Sequence, residues 1–320
     1  MIKILLLFSI IVVCCCLLTF KEGFWSRGLL DNEYNQSETE YHSNKDTIIN
    51  EIKNCKDKIW IRNHSCKYPE IGDLDIFADN LHLLKKPVIL VTGDGDREVP
   101  SSYNPKIVKK LLNSDKIIKW YTQNYDKTLI HSKLKYYPIF LDLHTHNWLK
   151  QYSDNKNVSG KNLRDLKLNY MKSQNLKNKN NKINKIFCDT HLSHTHPERG
   201  IMYDKIKNNK NIDFLESRIN NKEIMNKYSQ YRFVISPRGN GLDCHRTWEA
   251  LLCGAIVIVK TSPLDDMYKN NNLPVIILND WEDLNNNLDY KLNKWYIEHK
   301  DKLGMDNILE KFNPDYWISK

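Results

Sequence analysis

The sequence predicts an α/β fold whose clearest part, over 181–320, is a parallel sheet covered by helices. Three observations carry that expectation. Five short runs dense in Ile, Val and aromatic residues recur at Lys185–Cys188, Ile212–Leu215, Tyr231–Ser236, Ala255–Val259 and Pro274–Leu278. Runs of that length and composition suit strands buried on both faces. Helical segments separate them, and regular strand–helix alternation argues for a parallel sheet with helices on each side. Polar loops follow Cys188, Ser236 and Val259. In open α/β sheets ligands bind outside the carboxyl ends of the strands, so these loops are expected to share one rim.

Taken in chain order, Asp46–Lys56 is expected to be a helix and Ile59–Arg62 a strand. Pro87–Asp96 joins an apolar run to Gly93-Asp94-Gly95-Asp96, the pattern of a buried strand ending in a loop. Pro105–Leu112 reads as a short helix, Lys116–Tyr121 as a strand, and Tyr136–Thr145 as a further strand with its loop. The Lys- and Asn-rich stretch Leu166–Lys185 reads as a domain boundary, its part from Asn175 onward as a solvated loop. Beyond it, helices are expected from Gly200, over Asn221–Gln230, over Asp243–Leu252 and near Leu264–Lys269. Further helices follow Leu278, and no internal repeat is evident.

The 320 residues suffice for two modest domains or one large one, and 41% apolar content is enough for a packed core. A formal charge of +9 favours anionic partners such as a nucleoside diphosphate, an acidic lipid or an acidic glycan. Nucleic acid is set aside, because the excess lies mainly in Lys/Asn tracts and no zinc-finger or RNA-recognition motif accompanies it.

Ile4–Phe20 is uncharged and flanked by Lys3 and Lys21. As a helix it would span about 25 Å, close to the roughly 30 Å hydrocarbon core. A cleaved signal peptide competes with this reading. The run is long for a signal core, however, and no small-x-small site precedes Lys21, so a signal anchor is expected. The layout is then an anchor over 1–22, a stem over 23–45, an N-terminal domain over 46–180 and a C-terminal domain over 181–320. Sequons at Asn35, Asn63 and Asn157 fit a lumenal location. Of eight cysteines, three lie in the anchor. Cys55 and Cys66 can close a short disulfide loop, and with no CxxC no zinc site is expected.

Most of the chemistry lies between Ser236 and Glu249, in Ser-Pro-Arg-Gly-Asn-Gly-Leu-Asp-Cys-His-Arg-Thr-Trp-Glu. Gly239 and Gly241 permit a sharp turn and close backbone approach to a ligand. The helix that follows offers N–H groups and a positive dipole end to the same space. Arg238 and Arg246 can make paired contacts to a diphosphate. Within the helix, His245, Arg246 and Glu249 share a side, and a carboxylate one turn in is placed for ribose hydroxyls. The plainer alternatives are Asp243 as an N-cap and an Arg246–Glu249 surface ion pair.

The pattern from Ser236 to Val259, with Pro-Arg-Gly, His245-Arg246, Glu249-Ala250 and Gly254 before an apolar strand, resembles the donor-site signature of exostosin-like glycosyltransferases. The resemblance implies GT-B architecture, two Rossmann-like domains facing across a cleft. It implies that Arg246 contacts the donor diphosphate and Glu249 the ribose, with Ser236, Arg238, Gly239, Gly241 and His245 around them. It also implies that Arg199 approaches the phosphates from the loop after Cys188.

Asp142-Leu-His144-Thr-His146 is similar to the first metal motif of PHP-type phosphoesterases and amidohydrolases, which use barrel folds. That is the competing activity, although the remaining chain is short for a barrel of roughly 250 residues. The histidines His191, His194 and His196 have no regular ligand spacing. In the transferase reading, Asp94, Asp96, Asp142 and His144 are the possible bases for an acceptor hydroxyl. The combined expectation is a type II single-pass enzyme facing the Golgi or ER lumen. It would move sugar from a nucleoside diphosphate sugar, a UDP-sugar first of all, to a glycan or glycoprotein, with no obligatory metal or other cofactor. A non-catalytic sugar-nucleotide or glycan-binding module is the third reading.

Overall fold

The computed structural model describes residues 45–63, 72–143, 145–155 and 160–319. The expected anchor and nearly all of the stem lie outside the described residues, as do Asn35, Cys66, His144 and Asn157. No helix among the described residues is long and apolar enough to cross a membrane. Cys55 carries a free thiol that donates to Ile52 O at 3.3 Å.

Two open sheets organise the chain, and every pairing within them is parallel. The first contains β1 (Lys58–Arg62), β2 (Val88–Gly93), β3 (Ile117–Thr122) and β4 (Leu134–Tyr136), side by side in chain order. Helices α1 (Lys45–Asn54), α2 (Asp73–Asp79) and α3 (Pro105–Asn113) accompany it. A short helix α4 (His146–Leu149) and the long α5 (Gly160–Asn178) lead to the second sheet.

The second sheet has strands β5 (Ile183–Cys188), β6 (Ile212–Phe214), β7 (Tyr231–Ile235), β8 (Ile256–Lys260) and β9 (Val275–Leu278). Their spatial order is β6-β5-β7-β8-β9. Helices α6 (Pro197–Ile206), α7 (Asn221–Gln230), α8 (His245–Leu252) and α9 (Asp265–Asn270) connect them, and α10 (Leu288–His299), α11 (Met305–Lys311) and α12 (Pro314–Ile318) end the chain. Two open sheets exclude the closed barrel on which the phosphoesterase alternative depended.

Strand side chains alternate between faces, and here the alternation builds three cores. Ile256 and Ile258 join Met202, Ile206 and Trp281 on one side of the second sheet. Val257 and Val259 join the central core on the other side, with Trp248, Leu252 and Phe312. Trp60, Val91 and Tyr121 of the first sheet enter that same central core. Ile59, Ile61, Val88 and Leu90 face Ile48, Phe77 and Leu111 of the outer helices. The sheets therefore share one apolar middle layer. Chain crossings reinforce it: Tyr121 donates to Ile318 O at 2.8 Å and Tyr136 to Pro263 O at 2.7 Å.

Three expectations need correction. The Lys/Asn-rich stretch is helical as far as Asn178, leaving a short turn before β5. Its polar residues are packed: Asn175 donates to Leu252 O at 3.0 Å, and Lys167 is fully buried. The strand expected within Tyr136–Thr145 ends at Tyr136. Phe140 then turns to φ 57, unusual for an aromatic residue, and packs against Trp248 at 5.5 Å. The sequon at Asn63 is internal: Asn63 is 1% exposed, donates from Nδ2 to Arg97 O and accepts from the Tyr103 hydroxyl.

Candidate functional site

In the second sheet, β5 is flanked by β6 on one side and β7 on the other, so the order in which strands are added reverses there. The loops leaving β5 and β7 diverge, and a crevice opens between them. A cleft of about 550 Å³ lies there, lined by Asp189, Arg199, Gly239, Cys244, Arg246 and Glu249 among others. Asp96, Ile139, Asp142, Trp148 and Gln151 line it from the preceding part of the chain.

Arg199 comes from the first turn of α6, where Pro197 occupies the opening position and His196 accepts from Glu198 N. The side chain is 6% exposed. Its Nε donates to Arg238 O at 3.1 Å and Nη1 to Ser193 Oγ at 2.7 Å. Among the described residues no carboxylate forms an ion pair with it. Burial, and then the charge of Arg246, lowers its pKa from the ordinary arginine value. Cys244 and Asp189 oppose that shift more weakly, and a buried cation with no carboxylate in direct contact is costly unless an anion joins it. Gly239 makes room for it, since a Cβ there would lie 3.2 Å from Arg199 Nη2.

Arg246 is held differently. Its Nε donates to Asp189 Oδ1 at 2.9 Å and to the Tyr228 hydroxyl at 3.1 Å. Burial works against its charge, but Asp189 and Tyr228 outweigh that and raise its pKa. The loop after β5 and helix α7 thus fix this guanidinium, with the cleft beside it.

Glu249 lies one turn further along α8, 5% exposed, and also lines the cleft. Its Oε1 accepts from Lys167 Nζ of α5 at 2.6 Å. It does not pair with Arg246, so the surface ion-pair alternative is excluded. The same Lys167 ammonium donates to Asp142 O at 2.8 Å. Composition hid this lysine inside a tract read as a domain boundary. The four-residue spacing of Leu163, Lys167, Met171 and Asn175, all buried, is the signal that finds it.

Asp243 does not cap α8; Cys244 occupies the N-cap. The Asp243 carboxylate is instead buried against Ile139 N at 2.9 Å, Cys244 N at 2.9 Å and Trp248 Nε1 at 3.0 Å. Burial raises its pKa to about 6. Asn124 accepts from Asp243 N at 2.9 Å and donates to Gly95 O, so the loop after β7 is sewn to the first sheet. Gly241 permits that seam, because a Cβ there would meet Asn124 Nδ2 at 2.7 Å. His245 shares a 2.8 Å hydrogen bond with Phe140 O; a carbonyl only accepts, so Nδ1 carries the proton.

Other expected residues fall elsewhere. Ser236 pairs with Thr247 Oγ1 at 2.9 Å and lines a separate pocket of about 190 Å³. Arg238 lines that pocket too and pairs with Glu98 at 2.7 Å, a link between the two halves. Asp94 sits at φ 58 and turns onto Arg62, with Nε–Oδ2 at 3.1 Å, so Asp96 and not Asp94 reaches the cleft. Asp142 does reach the cleft, where its carboxylate accepts from Thr145 N at 3.0 Å and Thr145 Oγ1 at 2.7 Å. Among the described residues no three His, Cys, Asp or Glu side chains converge as a metal site.

No protein-family profile matches the chain, and a search of curated proteins finds no match. Among solved structures it is similar to the apo form of OtsA (TM-score 0.45, 11% identity, covering 86% of this chain and 74% of that one). It is similar at the same values to a structure described as trehalose-6-phosphate from E. coli bound with UDP-2-fluoro glucose. It is also similar to a glycosyltransferase from Rickettsia africae (TM-score 0.41, 14% identity, covering 90% of this chain and 82% of that one). Each is a distant likeness.

Proposed function

We propose that the chain is a glycosyltransferase that draws a nucleoside diphosphate sugar into the cleft between its two sheets. The observation that carries this is the pair Arg199 and Arg246 at the switch point, one of them buried without a carboxylate partner among the described residues. A diphosphate would bring negative charge into direct contact with Arg199, and the cleft has the volume for a nucleotide. Glu249, one turn along α8, takes the ribose hydroxyls. UDP is the donor nucleotide of the reading.

In the reaction, a bond forms between an acceptor oxygen and the sugar's anomeric carbon as the bond to the diphosphate breaks. The negative charge that develops on the leaving diphosphate falls beside two guanidinium groups already fixed by Ser193, Asp189 and Tyr228. Such groups need no reorganisation as the charge develops, which is where electrostatic catalysis is strongest. The acceptor is a glycan or glycoprotein hydroxyl, and its proton passes to a carboxylate of the opposite wall, Asp96 or Asp142. The finer reading is an exostosin-like enzyme of GT-B architecture, divided into 46–180 and 181–320. It is held by 1–22 in a Golgi or ER membrane with the catalytic part in the lumen.

Calorimetric titration of the full chain with UDP and with UDP-sugars in chelator tests this, followed by an assay of sugar transfer. Micromolar binding with transfer to a glycan acceptor is the expected result. Failure of every nucleoside diphosphate sugar to bind sinks the reading, and binding without transfer reduces it to a binding module.

A further inference from the structure

The structure assigns a positioning role to Lys167: it aims the Glu249 carboxylate and fixes the Asp142 main chain, bracketing the cleft from behind. This rests on the reading above in which Glu249 takes the donor ribose. Lys167 is 0% exposed and sits on α5, in line with Leu163 and Met171. One ammonium group joins two walls that the chain builds 107 residues apart, Asp142 O at 2.8 Å and Glu249 Oε1 at 2.6 Å. Asp142 and Glu249 both line the cleft, whereas Lys167 does not. It therefore acts through them and not on the ligand.

Stability alone does not account for such a residue. An ion pair taken wholly out of water is commonly no better than apolar side chains of the same volume, because desolvation offsets the attraction. The neighbours Leu163, Leu168 and Met171 show that the site accepts apolar groups. What a lysine adds at this position is direction: a charged hydrogen bond to one carboxylate oxygen fixes its rotamer and leaves the group's other edge toward the cleft. Asn175, two turns on, holds Leu252 O at the other end of α8, so α5 sets the whole helix that carries Arg246 and Glu249.

The test separates aiming from folding by using two probes. UDP contains the ribose that Glu249 addresses; inorganic pyrophosphate carries only the charge that Arg199 and Arg246 address. In calorimetry on the full chain, well below the melting temperature, Lys167→Met is expected to weaken UDP binding about tenfold. Glu249→Gln should weaken it to a similar extent, and the double variant no further, as coupled residues do. Pyrophosphate affinity should stay within about twofold in all three. Lys167→Gln, which keeps an N–H donor without a buried charge, serves where Lys167→Met folds poorly and should bind UDP with intermediate affinity. The proposal is overturned if Lys167 variants that remain folded bind UDP like the wild type. It is overturned equally if UDP and pyrophosphate weaken together, since that marks a loss of structure. A wild-type chain that binds pyrophosphate but gains nothing from the nucleoside would instead defeat the ribose reading itself.

Discussion

The two sheets are alike in direction and unlike in order. In the first, β1 to β4 lie in sequence, so each new strand is added to the same edge. In the second, β6 and β7 lie on opposite sides of β5, and the loops leaving β5 and β7 part to leave a crevice. The guanidinium groups of Arg199 and Arg246 gather only there. The first sheet's half of the chain contributes a wall, through Asp96, Ile139, Asp142 and Trp148. A parallel α/β sheet thus opens a crevice through its strand order, and its neighbour supplies the facing wall.

That contrast makes its largest prediction at Arg199. Arg199→Ala is expected to reduce UDP affinity about 100-fold, since several charge-assisted hydrogen bonds are lost together. A calorimetric loss below about threefold would mean that the crevice of the second sheet does not hold the diphosphate. Next comes the seam between the sheets. Gly241→Ala forces a Cβ to 2.7 Å from the buried Asn124 amide. It should lower unfolding free energy by about 2 kcal/mol in a urea titration. An unchanged midpoint would show that the two halves yield to one another freely.

Asp243 tests the same seam through pH. Burial raises its pKa to about 6, so the folded chain keeps a proton that the unfolded chain releases nearer pH 4. Its contribution to stability is therefore greatest below about pH 4, declines up to about pH 6 and is level above that. Wild type measured against Asp243→Asn should lose on the order of 2 kcal/mol across that window as pH rises. A flat difference would place the carboxylate in contact with water. The smallest effect is expected at Arg238, half-screened and tied to Glu98. Arg238→Ala should change UDP affinity by less than about threefold, because a part-exposed pair contributes under about 1 kcal/mol.

The second sheet was the more legible of the two regions. Ile256-Val257-Ile258-Val259 is apolar on both faces because both faces are covered, and that leaves a plain mark in the sequence. Helix α7 was also readable, since Asn220 and Glu223 form a reciprocal cap at its start. Helix α5 was not, because its buried polar residues are satisfied by distant partners, and Lys and Asn look the same whether paired or solvated. Helix α2 was missed as well: seven residues opening at Asp73 give too little periodicity. Within the site, Gly239, Gly241, Arg199, Arg246 and Glu249 line the cleft. Asp94 and Arg238 do not, since a left-handed turn at one and an ion pair across the seam at the other redirect them. Direction at a loop is decided by partners far along the chain, and local sequence does not carry it.

Asn63 has a consequence outside catalysis. The nitrogen to which an oligosaccharide would be attached already donates to Arg97 O, inside a 1% exposed residue. Modification and burial of that amide exclude each other. If the chain enters a compartment with oligosaccharyl transfer, the sequon is open only before β1 pairs with β2. A sugar added then would bar Tyr103 and Arg97 from closing over it. The order of the two events becomes a race, decided during synthesis. A mature molecule carrying sugar at Asn63 would be one in which this amide never reached its buried position, and its mass would identify it.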